Sequence, residues 1–216
     1  MGNKRGSIRF AGVLFLLATV ASLVGGTMVS AAVPDGVSAA LTAGNRSILT
    51  AGILLELVNA LSVLGIGALL APALRLGSDR AATGYAVLRT VEAVFCTVVV
   101  LAPLSLFFAG DLSGFTAGIF AVREGVYALL VPLFFSLGAL VLYGTLFRFR
   151  MVPRFVSAWG FTAAVLIFFV GLAGFILPNG LGGTLPILLG LPIILNELFL
   201  GIWLIAKGLR EPVQNL

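Results

Sequence analysis

Residues 54–94 decide how this chain folds, and they read LLELVNALSVLGIGALLAPALRLGSDRAATGYAVLRTVEAV. The stretch predicts the deep part of one membrane-spanning helix, a short basic turn and the start of the next helix. Four polar side chains lie among residues that otherwise suit lipid: Glu56, Asn59, Arg89 and Glu92. A charged side chain deep in a bilayer costs about 2.5 to 3.5 kcal/mol on insertion scales. These residues are therefore the first candidates for a functional site.

The composition of the whole chain places it in a membrane. Of its 216 residues, 60% are hydrophobic and 10% are charged, and the mean hydropathy is +1.18. Soluble domains carry about 25% charged residues. A chain of this length holds about six spans with short loops, so we expect an all-α bundle of six transmembrane helices that forms a single membrane domain over residues 1–216.

The predicted spans follow the long apolar runs and are separated by polar or glycine-rich segments. They cover about residues 10–33, 48–71, 84–109, 125–147, 155–177 and 185–206. The first run also resembles a cleaved signal peptide, but its length exceeds the roughly 7 to 15 residues of a signal core, which favours a span. We expect loops at Pro34–Ser47 and at 178–184, and a linker or shallow interfacial piece at Gly110–Gly118.

The distribution of basic residues predicts the orientation. With six spans, eleven of the thirteen Lys and Arg residues fall on the side that holds both termini, and Arg46 and Arg123 fall on the other. Cytoplasmic loops carry the excess of basic residues, so we expect both termini in the cytoplasm and the chain in the inner (cytoplasmic) membrane. The net charge of +5 lies at span ends and forms no continuous stripe, which argues against nucleic acid as a partner.

The residue types limit the chemistry. The chain has one cysteine, Cys96, and no histidine, which excludes an intramolecular disulfide and the commonest metal ligand. We expect no metal site and no cofactor. Any acid-base chemistry must depend mainly on carboxylates. There is also no nucleophile-base pair and no phosphate-binding loop, so the sequence favours a role without catalysis.

The sixth span adds Asn196 and Glu197 to the polar residues of spans two and three. At about 1.5 Å of rise per residue, all of them fall in a central layer of the membrane. Three carboxylates against the guanidinium of Arg89 would leave two negative charges without partners in a medium of low dielectric constant. Either carboxyl groups there hold a proton, or something cationic joins them. The alternative is a purely structural network of hydrogen bonds between helices.

Three prolines inside predicted spans should release backbone carbonyl groups. Proline lacks the amide N–H that would bond to the carbonyl one turn earlier. Pro103 should therefore free the carbonyl of Val99, Pro132 that of Ala128, and Pro192 that of Leu188. In a membrane such a group needs another partner.

Four blocks of the sequence suggest a family. They are LLELVNAL in span two, GYAVLRTVEAV in span three, LFRFRMVPRFVSAWG between spans four and five, and LNELFLGIWLIAKG near the end. With these blocks in this order, the chain resembles the bacterial membrane family catalogued as domain of unknown function 4386. The resemblance implies a six-helix membrane protein of unestablished activity and supplies no catalytic residue.

Three functions remain open from the sequence. The leading hypothesis is a membrane protein that binds or transports a small hydrophobic or cationic solute in a carboxylate-lined pocket. Its predicted ligand-binding or proton-coupling residues are Glu56, Asn59, Arg89, Glu92, Asn196 and Glu197. The second is an intramembrane enzyme that uses paired carboxyl groups for acid-base work on a lipid or isoprenoid. The third is a structural or regulatory subunit; the partners expected are membrane lipids and, with them, a second copy or another membrane protein.

Overall fold

A computed structural model describes residues 2–33, 43–108, 113–177, 181 and 184–213. These residues form helices and no strand, so the all-α prediction is confirmed for them. In chain order the helices are α1 (Gly2–Ala32), α2 (Ala43–Leu74), α3 (Asp79–Val98), α4 (Leu101–Ser105), α5 (Ser113–Gly125), a π-helical segment (Val126–Leu130), α6 (Val131–Arg148), α7 (Arg154–Ile176) and α8 (Leu185–Ala206).

Six helical stretches of the described chain are long and apolar enough to cross a membrane, as predicted. They are Arg5–Ala32, Gly44–Leu74, Asp79–Ser105, Gly114–Arg148, Arg154–Ile176 and Leu185–Ala206. The third span combines α3 and α4, and the fourth combines α5, the π-helical segment and α6. This chain is therefore a multi-pass membrane protein.

The observed spans differ from the predicted ones mainly at their starts. The second helix begins at Ala43, before the predicted start at residue 48, and the fourth span begins at Gly114 instead of residue 125. Parts of the predicted connections lie outside the described residues, namely 34–42, 109–112, 178–180 and 182–183. The linker expected at Gly110–Gly118 is wrong from residue 113 on, because α5 begins there and continues the fourth span toward its start.

The six spans close into a ring. α1 packs on α2 and α8, α3 packs on α2 and α6, and α7 packs on α6 and α8. Helices that are apolar on all sides can face lipid outward and one another inward, so hydrophobicity alone does not select their inner faces. The ring therefore places side chains from all six spans around a common centre.

One end of the ring is closed by packed turns. The segment after α8 pairs with the α6–α7 turn, because the amide of Arg210 donates to the carbonyl of Met151 at 2.8 Å and that of Val213 to Phe149 at 3.0 Å. Met151 and Val152 are each 1% exposed. We call this end, where α1 begins and α8 finishes, the basic end, since most Lys and Arg residues lie near it.

Candidate functional site

A cavity of about 300 Å³ lies at the centre of the ring and is lined by residues of all six spans. Its polar lining consists of Thr19, Ser22, Asn59, Arg89, Glu92, Cys96, Tyr127 and Glu197. Apolar side chains, including Val63, Ile66, Phe135 and Ile193, complete most of the remaining wall. Four of the six residues predicted for the site therefore face one cavity.

Arg89 is the centre of the first charged cluster. Its Nη1 donates to both carboxylate oxygens of Glu92, at 3.1 and 3.0 Å, and its Nε donates to the hydroxyl of Tyr85 at 3.2 Å. These partners lie three and four residues away on α3, which puts them on the same helix face. The guanidinium also lies 5.8 Å from the ring of Phe15 and 5.5 Å from that of Phe135. Arg89 is thus fixed in position by short contacts and is 2% exposed.

Glu197 is held less firmly than the other carboxylates. Its Oε1 lies 3.7 Å from Nη2 of Arg89, which is too long for a hydrogen bond, although the two charges attract. The hydroxyl of Thr19 lies 3.5 Å from Oε2 of Glu197 but only 2.9 Å from the carbonyl of Phe15, so its one proton goes mainly to the backbone. The side chain of Glu197 is 14% exposed, against 4% for Glu92. Glu197 is therefore the carboxylate best able to take another partner.

A second charged cluster joins Glu56 to Arg123. The Nη1 of Arg123 donates to Oε2 of Glu56 at 2.9 Å, its Nη2 donates to Oε1, and the hydroxyl of Tyr127 donates to Oε1 at 2.9 Å. The side chains of Arg123 and Glu56 are 4% and 2% exposed. The prediction that Arg123 lies outside the fourth span, on the side away from the termini, is wrong, because the helix continues back to Gly114 and carries this residue inside the protein.

The proline in the third span supplies one more contact to this cluster. α3 ends at Val98, and the carbonyl of Val99 accepts a hydrogen bond from Nη1 of Arg123. As predicted from Pro103, this carbonyl is available to a partner outside its own helix, and that partner is Arg123 of the fourth span. Arg123 thus connects the second and third spans to the fourth.

The two clusters form a column along the helix axes, since one lies at Arg89 and Glu92 of the third span and the other at Val99. Asn59 and Cys96 lie between them, and Nδ2 of Asn59 is 3.7 Å from Sγ of Cys96. Tyr127 belongs to the second cluster and also lines the cavity, so the cavity extends from one cluster to the other.

Asn196 faces away from this column. It is fully buried, and its Nδ2 donates to the carbonyl of Val156 on α7 at 3.0 Å. Consecutive residues on a helix point about 100° apart, since a turn takes about 3.6 residues. The structure therefore separates Asn196 from Glu197, and of these two neighbours Glu197 alone lines the cavity.

The charges of the two clusters nearly balance. The three carboxylates, of Glu56, Glu92 and Glu197, face two guanidinium groups. Arg123 thus reduces the surplus from the two negative charges expected from the sequence to one. Because Glu56 and Glu92 each accept two hydrogen bonds from an arginine, the surplus falls on Glu197.

The sequence analysis missed four residues that support the site: Thr19, Tyr85, Arg123 and Tyr127. One signal could have identified Arg123, because the segment FTAGIFAV before it is apolar enough to extend the span. A hydroxyl group in a membrane helix carries no comparable signal, since serine, threonine and tyrosine also occur on lipid-facing and packing surfaces.

Comparison with known proteins identifies a family for this chain. The model of the family described as "Domain of unknown function (DUF4386)" matches residues 10–208. No curated protein and no solved structure matches the chain significantly. The match covers every span but supplies no activity, ligand or site residue.

Proposed function

We propose that this chain, which belongs to the family described as domain of unknown function (DUF4386), binds a small hydrophobic cation in its central cavity, with Glu197 as the counter-ion. The observation that carries the proposal is the surplus negative charge on Glu197. This carboxylate lines the cavity, is 14% exposed and lies beyond hydrogen-bond distance of Arg89. A buried carboxylate in this position needs a positive partner or a proton.

The cavity wall indicates the kind of cation. Apart from the polar column, the wall is made of aliphatic and aromatic side chains such as Val63, Ile66 and Phe135. A hydrated metal ion would lose water there without gaining enough oxygen ligands. An organic ammonium group with apolar substituents suits both the carboxylate and the wall. At about 300 Å³, the cavity is at the lower end of the range of roughly 300 to 1,000 Å³ for ligand pockets, so the ligand is small.

A proton takes the place of the cation when no ligand is bound. Both neutralise the same carboxylate of Glu197, so the two compete. Binding of the cation therefore weakens as the pH falls, by up to about tenfold per pH unit where the proton occupies the site. A neutral ligand of the same shape lacks this dependence.

Benzyltrimethylammonium is a suitable probe, and neopentylbenzene is its neutral counterpart of the same shape. At about 100 times its Kd, the cation should stabilise the wild type against unfolding by about 2.7 kcal/mol. Glu197→Gln should remove this stabilisation, because the variant keeps the shape of the side chain without its charge. Thermal unfolding in lipid nanodiscs measures both effects.

The matched control is Glu124→Gln, which removes a carboxylate from an exposed position on α5. It should leave the stabilisation unchanged. Equal stabilisation of the wild type and Glu197→Gln, or equal effects of the cation and the neutral compound, would refute the proposed function.

We further propose that the basic end faces the cytoplasm and that the chain lies in the inner membrane. With Arg89 and Arg123 both buried in the bundle, ten of the remaining eleven Lys and Arg residues lie in the segments of the basic end, and Arg46 alone lies toward the other. The positive-inside rule then favours cytoplasmic termini.

Cysteine labelling in intact cells tests this orientation. In a Cys96→Ala background, Arg210→Cys should resist a membrane-impermeant maleimide until the cells are opened, whereas Arg46→Cys should react at once. Immediate reaction at position 210 would reverse the proposed orientation.

A further inference from the structure

We propose that the cavity opens sideways into the bilayer between α1 and α8, and that its ligand is a lipid-borne cation, an ammonium group with a hydrocarbon tail. The cation part of this inference rests on the proposed function, whereas the opening rests on helix geometry alone. The tail would remain among lipid chains while the head group reaches Glu197.

The two helices touch near the basic end. A Cβ atom placed on Gly12 of α1 would lie 2.6 Å from the carbonyl oxygen of Gly201 on α8. A Cβ atom on Gly201 would lie 3.0 Å from the side chain of Leu16. Paired glycines allow membrane helices to approach this closely. Below the cavity, therefore, α1 and α8 leave no room between them.

Farther along, α1 remains packed closely on α2. A Cβ atom placed on Gly52 of α2 would lie 3.1 Å from the carbonyl oxygen of Gly25 on α1. α1 is thus held against α2 beyond the level of its close contact with α8. The contact between Thr19 and Glu197, at 3.5 Å, lies between these two regions.

The residues beyond this contact line the cavity and are also accessible from outside. Ser22 and Leu23 of α1 both line it, and Ser22 is exposed while Leu23 is 50% exposed. Gly190 and Ile194 of α8 line it from the other side and are half-buried. A residue that belongs to both the cavity wall and the outer surface marks an opening, and Gly190 contributes no side chain to close it.

The opening lies at the depth of the lipid chains. Gly190 lies five residues inside α8, which begins at Leu185, and this corresponds to about 7.5 Å from that end of the span. Its surroundings are apolar, because Val24, Ile187 and Leu191 are 44%, 66% and 41% exposed. A fully hydrated ion finds no polar path there, whereas an amphiphilic cation already dissolved in the membrane does.

A membrane-soluble carbodiimide tests the opening without any ligand. Dicyclohexylcarbodiimide reacts with a protonated carboxyl group. The carboxyl oxygen adds to the central carbon, the acid proton passes to nitrogen, and the adduct rearranges to a stable N-acylurea without a leaving group. In liposomes at mildly acidic pH, mass spectrometry should find this adduct on Glu197 and not on Glu56 or Glu92, which are enclosed by their arginine partners.

Gly190→Phe places a large side chain in the opening and should slow the modification at least about tenfold, because the reagent must pass it. Gly118→Phe is the matched control, since Gly118 lies on the exposed face of α5 with nothing within 4 Å. If Gly190→Phe lowers the melting temperature, Leu23→Trp serves as the second variant. Glu197→Gln should abolish the modification at this position.

Three outcomes would overturn the opening: no adduct on Glu197, equal rates for Gly190→Phe and Gly118→Phe, or faster reaction with a charged, water-soluble carbodiimide. If cation binding still depends on Glu197 in such a case, the proposed function stands and entry is from water. If the adduct forms but benzyltrimethylammonium does not bind, the opening stands and the cationic ligand is wrong.

Discussion

Replacing Arg123 by methionine should lower the free energy of unfolding by about 3 to 5 kcal/mol, because removal of one member of a buried ion pair leaves the other charge without compensation. Glu56 would lose two hydrogen bonds from the guanidinium, and the carbonyl of Val99 would lose its donor. Tyr127 alone would remain on the carboxylate. Steric trapping in bicelles measures this free energy without removing the lipid.

The double variant Glu56→Gln/Arg123→Met separates charge from packing. Glutamine is neutral and still accepts the hydrogen bond from Tyr127. The free energy of unfolding of this variant should therefore lie within about 1 to 2 kcal/mol of the wild-type value. The single variant Glu56→Gln completes the comparison. If the double variant loses as much free energy of unfolding as the two single variants together, Glu56 and Arg123 do not act as a pair. A loss below about 1 kcal/mol for Arg123→Met would show that the second cluster contributes little to stability.

Replacing Arg89 by methionine should lower the free energy of unfolding by a similar amount, about 3 to 5 kcal/mol. The change leaves Glu92 and Glu197 near each other with no cation between them, and it removes the donor to the hydroxyl of Tyr85. Arg75→Met is the control, because Arg75 pairs with Asp79 at the surface, where both side chains are more than half exposed. Such a pair is worth about 0 to 1 kcal/mol.

A double variant distinguishes a structural role of the Arg89–Glu92 pair from a role in ligand binding. Arg89→Met/Glu92→Gln restores the original balance of one surplus negative charge and leaves Glu197 in place. We expect it to recover stability relative to Arg89→Met and to bind benzyltrimethylammonium at least as tightly as the wild type. Loss of binding in this double variant, with the fold intact, would show that the cation interacts with the Arg89–Glu92 pair instead of Glu197.

The sequence predicted the number and type of the spans because each membrane helix must supply its own long apolar stretch. The start of the fourth span was not predictable in the same way. Arg123 interrupts the apolar run, and local hydropathy treats a charge as the end of a span. Its neutralising partner, Glu56, lies on another helix 67 residues away. Only the packing of the two helices makes its burial tolerable.

The residues of the site were predicted from their depth in the membrane. Depth does not determine which way a side chain points around the helix axis. Asn196 and Glu197 lie at nearly the same depth, yet Asn196 bonds to α7 while Glu197 faces the cavity. The sequence did identify the three carboxylates and Arg89, since charges in apolar surroundings are conspicuous. Hydroxyl partners such as Thr19 and Tyr85 are ordinary in membrane helices, so they were found only from contacts.

The most direct test of the central claim is the exchange of a proton for a cation at Glu197. Benzyltrimethylammonium is titrated into weakly buffered protein in nanodiscs at several pH values, and the protons released and the cations bound are both counted. We expect about one proton to leave per cation bound at the pH values where binding weakens, and neither binding nor release in Glu197→Gln. Binding that is independent of pH and unchanged in Glu197→Gln would contradict the assignment of Glu197 as the counter-ion.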